Sequence, residues 1–182
     1  MERFLVAEAA KHVGEKVTVA GWVNVRRAHG KILFLDLRDR SGLMQCVFIP
    51  SNAEAYSTAD PIRPEWVVAL TGTIVARPPN MVNDKIVTGQ VELSVESVEI
   101  LSKAETLPLS IETGGMEIGE EIRMKYRYLD LRRERLQNNI RMRHRLAKSI
   151  RDFLDGEGFL EIETPILTKS TPEGARDFVV PS

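Results

Sequence analysis

"KVTVAGWVNVRRAHGKILFLDLRDRSGLMQCVFI", residues 16–49, alternates apolar and polar side chains in three runs separated by two turn signals. Successive strand residues face opposite ways. In 16–26 that alternation predicts Val17, Val19, Gly21, Val23 and Val25 on one face and Thr18, Trp22, Asn24 and Arg26 on the other. "RRAHGK" turns the chain, after which Leu33, Leu35 and Leu37 are expected inward and Phe34 and Asp36 outward. "RDRSG" is the second turn and leads into a third strand over 43–49.

Working outward, 52–66 reads as a connection with some helical character, 67–75 as a fourth strand, "RPPNMVNDK" as a loop and 90–101 as a fifth strand with Val91, Leu93 and Val95 inward. Five short strands within about a hundred residues, with a connecting segment between the third and fourth, fit a small Greek-key barrel of the OB type. Beyond Leu107 the period changes. Pro108, Gly114, Gly115 and Gly119 mark a linker. A helix is expected over 132–155, with Leu136, Ile140, Ala147, Ile150 and Leu154 as its apolar stripe and Gly156 and Gly158 as its stop. "FLEIETPIL" then reads as a strand ended at Pro165. The predicted organisation is therefore a barrel over 1–104, a linker or hinge over 105–131, and an α/β segment over 132–182 that begins with a long helix and a strand.

The 182 residues are 43% hydrophobic and 28% charged, the composition of a water-soluble globular chain. No apolar run approaches the roughly 18 residues that argue for a membrane span, and the first residues are too weakly apolar for a signal peptide. A cytoplasmic protein without membrane contact is expected. One cysteine, Cys46, excludes an internal disulfide and a cysteine-cluster metal site; inside "LMQCVFI" it reads as a core residue. The net charge of −1 conceals an asymmetry: residues 123–151 hold eleven Lys or Arg against Asp130 and Glu134 alone. Such a block suits a polyanion, or a solvated helix face.

"GWVNVRRAHGKILFLDLRDRSGLMQCVF" resembles the anticodon-binding domain of the class IIb aminoacyl-tRNA synthetases, the aspartyl, asparaginyl and lysyl enzymes. "YRYLDLRR" and "FLEIETPILTKSTPEGARDFVVPS" resemble the bacterial aspartyl branch. The resemblance implies the N-terminal portion of such an enzyme, with Pro165 in the first class II signature at a homodimer interface. It implies ATP and Mg²⁺ as the enzyme's cofactors, L-aspartate as substrate, and catalytic arginines expected beyond Ser182. No catalytic or metal-ligating residue is then expected within 1–182, and neither cofactor bound to it. A free-standing OB-fold nucleic-acid-binding module and an asparaginyl enzyme are the alternative readings.

Anticodon bases are read unstacked, by aromatic stacking and hydrogen bonds to their edges. Phe34 suits stacking, Gln45 can donate and accept against a uracil edge, and Glu92 can accept from a guanine. Taken singly, each fits a solvated strand residue equally well. The resemblance implies that the family's anticodon contacts fall on Phe34, Gln45 and Glu92. Arg26, Arg27, Arg63 and Arg77 are candidates for phosphate or loop contacts. The resemblance further places Glu173 against the α-ammonium group of aspartate. It makes His29, with Met81 as second determinant, the residue that discriminates between tRNA(Asp) and tRNA(Asn). His at this turn accompanies relaxed enzymes that charge both, which implies a tRNA-dependent amidotransferase as partner; at the second position some relaxed enzymes carry Gly, and this chain carries Met81.

Overall fold

A computed structural model describes residues 3–166. The chain divides into two compact units, Met1–Leu107 and Pro108–Ser182.

In the first unit the alternating runs form strands β2 (Lys16–His29), β3 (Ile32–Asp39) and β4 (Gly42–Phe48), followed by helix α2 (Ala53–Ala59), β5 (Val67–Ala76) and β6 (Val91–Ser102). A short β1 (Arg3–Phe4) pairs parallel with β2, and helix α1 (Val6–Ala9) follows it. The sheet order is β1-β2-β3-β4-β6-β5, and β2 also pairs with β5, which closes β2 to β6 into a five-stranded barrel with β1 as an extra strand. One long strand can serve both neighbours because its first half, Lys16 to Trp22, lies against β5 and its second half, from Trp22 onward, lies against β3. Closure requires backbones to approach where side chains would block them. A Cβ at Gly21 would run into the Arg38 carbonyl, and one at Gly72 into the Ser94 carbonyl.

The barrel is filled by the inward residues. Val17, Val19 and Val23, Leu33, Leu35 and Leu37, Met44, Cys46 and Phe48, and Leu93 all lie at or near zero exposure. Each such side chain contributes about 1.5–3 kcal/mol by leaving water. Burial drives the Cys46 thiol far above its ordinary pKa, with the nearby Asp36 and Glu92 charges adding to it, so the group stays a neutral thiol in the core. Helix α1, too short to announce itself by periodicity, adds Val6 and Ala9 to the same core. Its first N–H groups are met by the buried Asp39, which accepts from Val6 N at 2.9 Å, and by Ser41 Oγ, which accepts from Ala7 N at 3.0 Å.

One feature of β2 departs from simple alternation. Between Val23 and Val25 the register against β3 slips by one residue: Val23 faces Leu37, and Val25 faces Asp36. Asn24 is the extra residue of a β-bulge. The slip reverses the expected faces beyond it. Val25 shares the outer face with Asp36, Arg26 falls opposite the buried Leu35, and Arg27 falls opposite Phe34.

In the second unit, helices α3 (Glu120–Lys125), α4 (Arg127–Asp130) and α5 (Glu134–Gly156) follow an irregular stretch. Their organising centre is Asp130, fully buried, which accepts from Arg133 Nε at 2.8 Å, Arg127 Nη1 at 3.0 Å and Arg123 Nε at 3.3 Å. Arg133, equally buried, also donates to Thr113 O at 2.8 Å. Gly115 lies so close to this guanidinium that a Cβ there would collide with it. Burial alone would raise the Asp130 pKa, but the hydrogen bonds from Arg133 and Arg123 outweigh it and hold the carboxyl below the ordinary range. Helix α5 ends on Gly158 (φ +84°): Phe159 N donates to Leu154 O and Gly158 N to Asp155 O, the paired bonds of a Schellman stop. Gly156 remains helical.

The strand expected from "FLEIETPIL" is not present among the described residues. Phe159 to Ile166 carries no ladder partner, and its apolar side chains stay exposed. β-propensity in an isolated segment gains nothing without a neighbouring strand to accept its hydrogen bonds. No described helix is long and apolar enough to cross a membrane.

Candidate nucleic-acid interface

The outer face of β3, β4 and β6, with the far end of β2, gathers several of the side chains singled out from the sequence. The register sets them in rows: Arg27 opposite Phe34 and Phe34 opposite Val47, Val25 opposite Asp36 and Asp36 opposite Gln45. Directly opposed residues in an antiparallel pair place their side chains on one face, close together. Parallel pairing of β4 with β6 then brings Glu92 beside Gln45.

These groups form a chain of alternating charge. Arg27 Nη2 donates to Asp36 Oδ1 at 2.7 Å and reaches Gln45 Oε1 at 3.4 Å. Gln45 Nε2 donates to Glu92 Oε2 at 2.8 Å. Arg77 Nε donates to Val91 O at 3.0 Å and lies 3.5 Å from Glu92 Oε2. A carboxylate only accepts, so Glu92 fixes which end of the Gln45 amide faces it and leaves Oε1 toward Arg27. Gln45 is thereby held in one orientation and still offers its second amide hydrogen and a carbonyl lone pair. Burial raises the Asp36 pKa above the ordinary carboxylate range, partly offset by Arg27 and Arg77. Phe34 stands half-buried beside this polar row, and an aromatic ring in such a place can serve as a stacking platform. The arrangement combines an aromatic ring, an oriented amide, a carboxylate acceptor and one exposed arginine, Arg27, groups of the kind that unstacked bases and their phosphates engage.

The remaining expected positions lie elsewhere. Arg26 is turned off this face by the bulge and donates to Asp60 O at 3.0 Å and Asp60 Oδ1 at 2.8 Å. Arg63 donates to the carbonyls of Asp60 and Ile62. Arg77 is 8% exposed, a buried member of the network, and its Nη2 has no hydrogen-bond partner. His29 is exposed at the end of β2, where it pairs with Ile32 across a two-residue turn opened by Gly30 (φ +59°). Met81 is 64% exposed in a 3-10 turn, Pro79–Met81, on the connection from β5 to β6. Pro165 is exposed in the segment after α5. Glu173 lies outside the described residues. Sequence reading passed over Asp36 as a site residue, although an acid alternating outward beside Phe34 in "LFLDL" was its signal.

The basic block is largely engaged with its own neighbours. Besides the three arginines on Asp130, Lys148 pairs with Asp152 at 2.8 Å and Arg151 with Glu161 at 2.9 Å. Arg141 donates to Asn138 and Gln137. Among the described residues no group of three or more His, Cys, Asp or Glu side chains could hold a metal ion.

Comparison with known proteins agrees with the fold of the barrel. Residues 17–101 match the family described as OB-fold nucleic acid binding domain, and residues 119–182 match tRNA synthetases class II (D, K and N). The aspartate–tRNA ligase of Staphylococcus aureus (strain Newman) is 52% identical over 179 residues, which are 98% of this chain and 30% of that protein. The chain thus spans about a third of the length of the curated relatives it matches. Among solved structures, the asparaginyl-tRNA synthetase of Pyrococcus horikoshii complexed with asparaginyl-adenylate superposes with a TM-score of 0.78 at 26% identity, covering 96% of this chain and 39% of that one. The aspartyl-tRNA synthetase of Entamoeba histolytica shares the fold at a TM-score of 0.78 and 23% identity, over 92% of this chain and 40% of that one. The barrel and the opening helices of the second unit thus match these two families in that order along one chain.

Proposed function

We propose that this chain is the anticodon-reading part of an aspartate–tRNA ligase, with the outer face of β3, β4 and β6 receiving the anticodon loop of tRNA(Asp). The observation that carries the reading is the convergence of Phe34, Gln45, Glu92 and Arg27 on that one face. A ring to stack on and an amide held between a cation and a carboxylate suit splayed bases better than they suit a duplex, whose edges lie in grooves. The whole ligase activates L-aspartate with ATP, supported by Mg²⁺, and transfers it to the tRNA. In the whole enzyme Glu173 contacts the aspartate α-ammonium group, and Pro165 belongs to a homodimer interface.

His29 extends the reading to tRNA(Asn). The two anticodons differ at their third base, and a neutral imidazole can donate to one base and accept from the other by changing tautomer. Charging of tRNA(Asn) with aspartate calls for an amidotransferase partner that converts the product. The face is tested by fluorescence anisotropy of the 182-residue chain with a labelled tRNA(Asp) anticodon stem-loop: saturable binding that a loop of scrambled sequence does not reproduce supports it, and equal binding of both refutes it. The relaxed specificity is tested by charging both tRNAs with the whole enzyme, before and after His29→Leu. Loss of tRNA(Asn) charging alone is expected; charging of tRNA(Asp) alone by the unaltered enzyme refutes it.

A further inference from the structure

The bulge that turns Arg27 onto the outer face is held by Arg38, farther along the same face of β3, and by Glu65, just before β5. Arg38, on β3, donates through Nη1 to Asn24 Oδ1 at 2.6 Å, and Asn24 is the extra residue of the bulge. Through Nη2 the same guanidinium donates to both carboxylate oxygens of Glu65, at 2.8 and 3.0 Å. Glu65 is 5% exposed and has φ +66°, the left-handed region that residues other than glycine rarely occupy. Its backbone is fixed to the strand just before the bulge: Glu65 N donates to Val23 O at 2.7 Å, and Val23 N donates to Trp66 O at 2.9 Å. The bulge residue and its predecessor are therefore gripped from one point, by a side-chain relay and by a pair of backbone bonds.

Such an arrangement is costly. A non-glycine residue in the left-handed region is strained, and a buried carboxylate needs its partner. Strain of this kind persists where the surroundings over-determine it, and bulges re-aim side chains next to functional sites. Here the re-aimed side chain is identifiable. Without the slip Arg26 would oppose Phe34; with it, Arg27 does, and Arg27 Nη2 reaches Asp36 and Gln45.

We infer that Arg38 and Glu65 are positioning residues for the RNA-binding face, acting through the Asn24 bulge to aim Arg27 at Asp36 and Gln45. The inference rests on the proposed reading of that face as an RNA site, and two readouts separate the two. The first needs no RNA. In the 182-residue chain with Arg38→Met and Glu65→Gln together, which removes both charges of this ion pair, NMR follows the titration of the Asp36 carboxyl. The charged groups facing Asp36 are Arg27 and Arg77, and both lower its pKa. If the bulge relaxes and Arg27 withdraws, Asp36 titrates at a higher pH than in the unaltered chain. The second readout is a cycle of stem-loop affinities. Arg27→Ala is expected to weaken binding about tenfold, the size of one lost arginine contact. The Arg38→Met, Glu65→Gln pair should weaken it by a similar factor alone and by less than about twofold when added to Arg27→Ala. An unmoved Asp36 titration overturns the inference, as does a loss that multiplies with that of Arg27→Ala. Absence of RNA binding together with a raised Asp36 titration upholds the positioning role and refutes the RNA reading alone.

Discussion

Phe34 and Asp36 stand two residues apart on one face, and they make different kinds of contribution. The ring offers area without charge, so its loss should be felt in affinity and little in salt dependence. Phe34→Ala is expected to weaken stem-loop binding by about 1–3 kcal/mol, read by anisotropy at fixed salt. An unchanged affinity would mean that the ring merely covers the sheet. Asp36 acts by holding Arg27, and its carboxyl carries a pKa raised chiefly by burial. A carboxyl raised in the folded state gives stability that is fully present below its unfolded pKa and is lost as pH rises through the folded value. Relative to Asp36→Asn, the unaltered chain should therefore gain stability as pH falls from 7 toward 4. Urea midpoints at the two pH values measure the difference, and a gain in the opposite direction would contradict the assigned cause.

Among the elements, the barrel strands and helix α5 were legible because their periods are strict: Leu33, Leu35 and Leu37 point inward as alternation requires, and Leu136 is buried where the helical stripe begins. What stayed hidden depends on partners far along the chain. Val25 and Arg26 fit either register, one apolar and one polar, and the groups that hold the bulge, Arg38 and Glu65, lie far from them in sequence. Helix α1 has four residues, less than any period can reveal. "FLEIETPIL" has strand composition without a strand to pair with among the described residues. A close approach in the barrel and a buried ion pair in the second unit contribute to the stability of these elements. Gly72→Ala would drive a methyl group into the Ser94 carbonyl, and a cost of about 1–3 kcal/mol is expected from the forced backbone shift, visible as a lower urea midpoint of the barrel. Asp130→Asn should cost the second unit about 3–5 kcal/mol, because the buried Arg133 would lose its countercharge. Since the Asp130 pKa is held below the ordinary range, its contribution is present above the unfolded pKa near 3.8 and is lost as pH falls through the folded value. Acid should accordingly loosen α3 and α4 while neutral pH keeps them.

Across the whole chain the two units differ in how much apolar surface they cover. The barrel buries its inward residues almost completely, whereas α5 and the segment after it expose Phe153 at 66%, Leu160 at 82% and Ile166 at 99%. Local stability follows such burial. Hydrogen exchange should be slow in β2 to β6 and faster from the middle of α5 to Ile166, and equal protection in both would contradict that picture. The charge asymmetry read from the sequence resolves into arginines mostly paired with nearby acids and amides, so the positive block is a weaker guide to RNA than the small outer face of the barrel. That contrast can be measured directly. Titrating the isotope-labelled 182-residue chain with the tRNA(Asp) anticodon stem-loop and following its NMR signals should shift Phe34, Gln45, Glu92 and Arg27 together, saturating at one RNA per chain. Shifts confined to α5, with the outer face of β3, β4 and β6 unmoved, would contradict the assignment of that face to RNA.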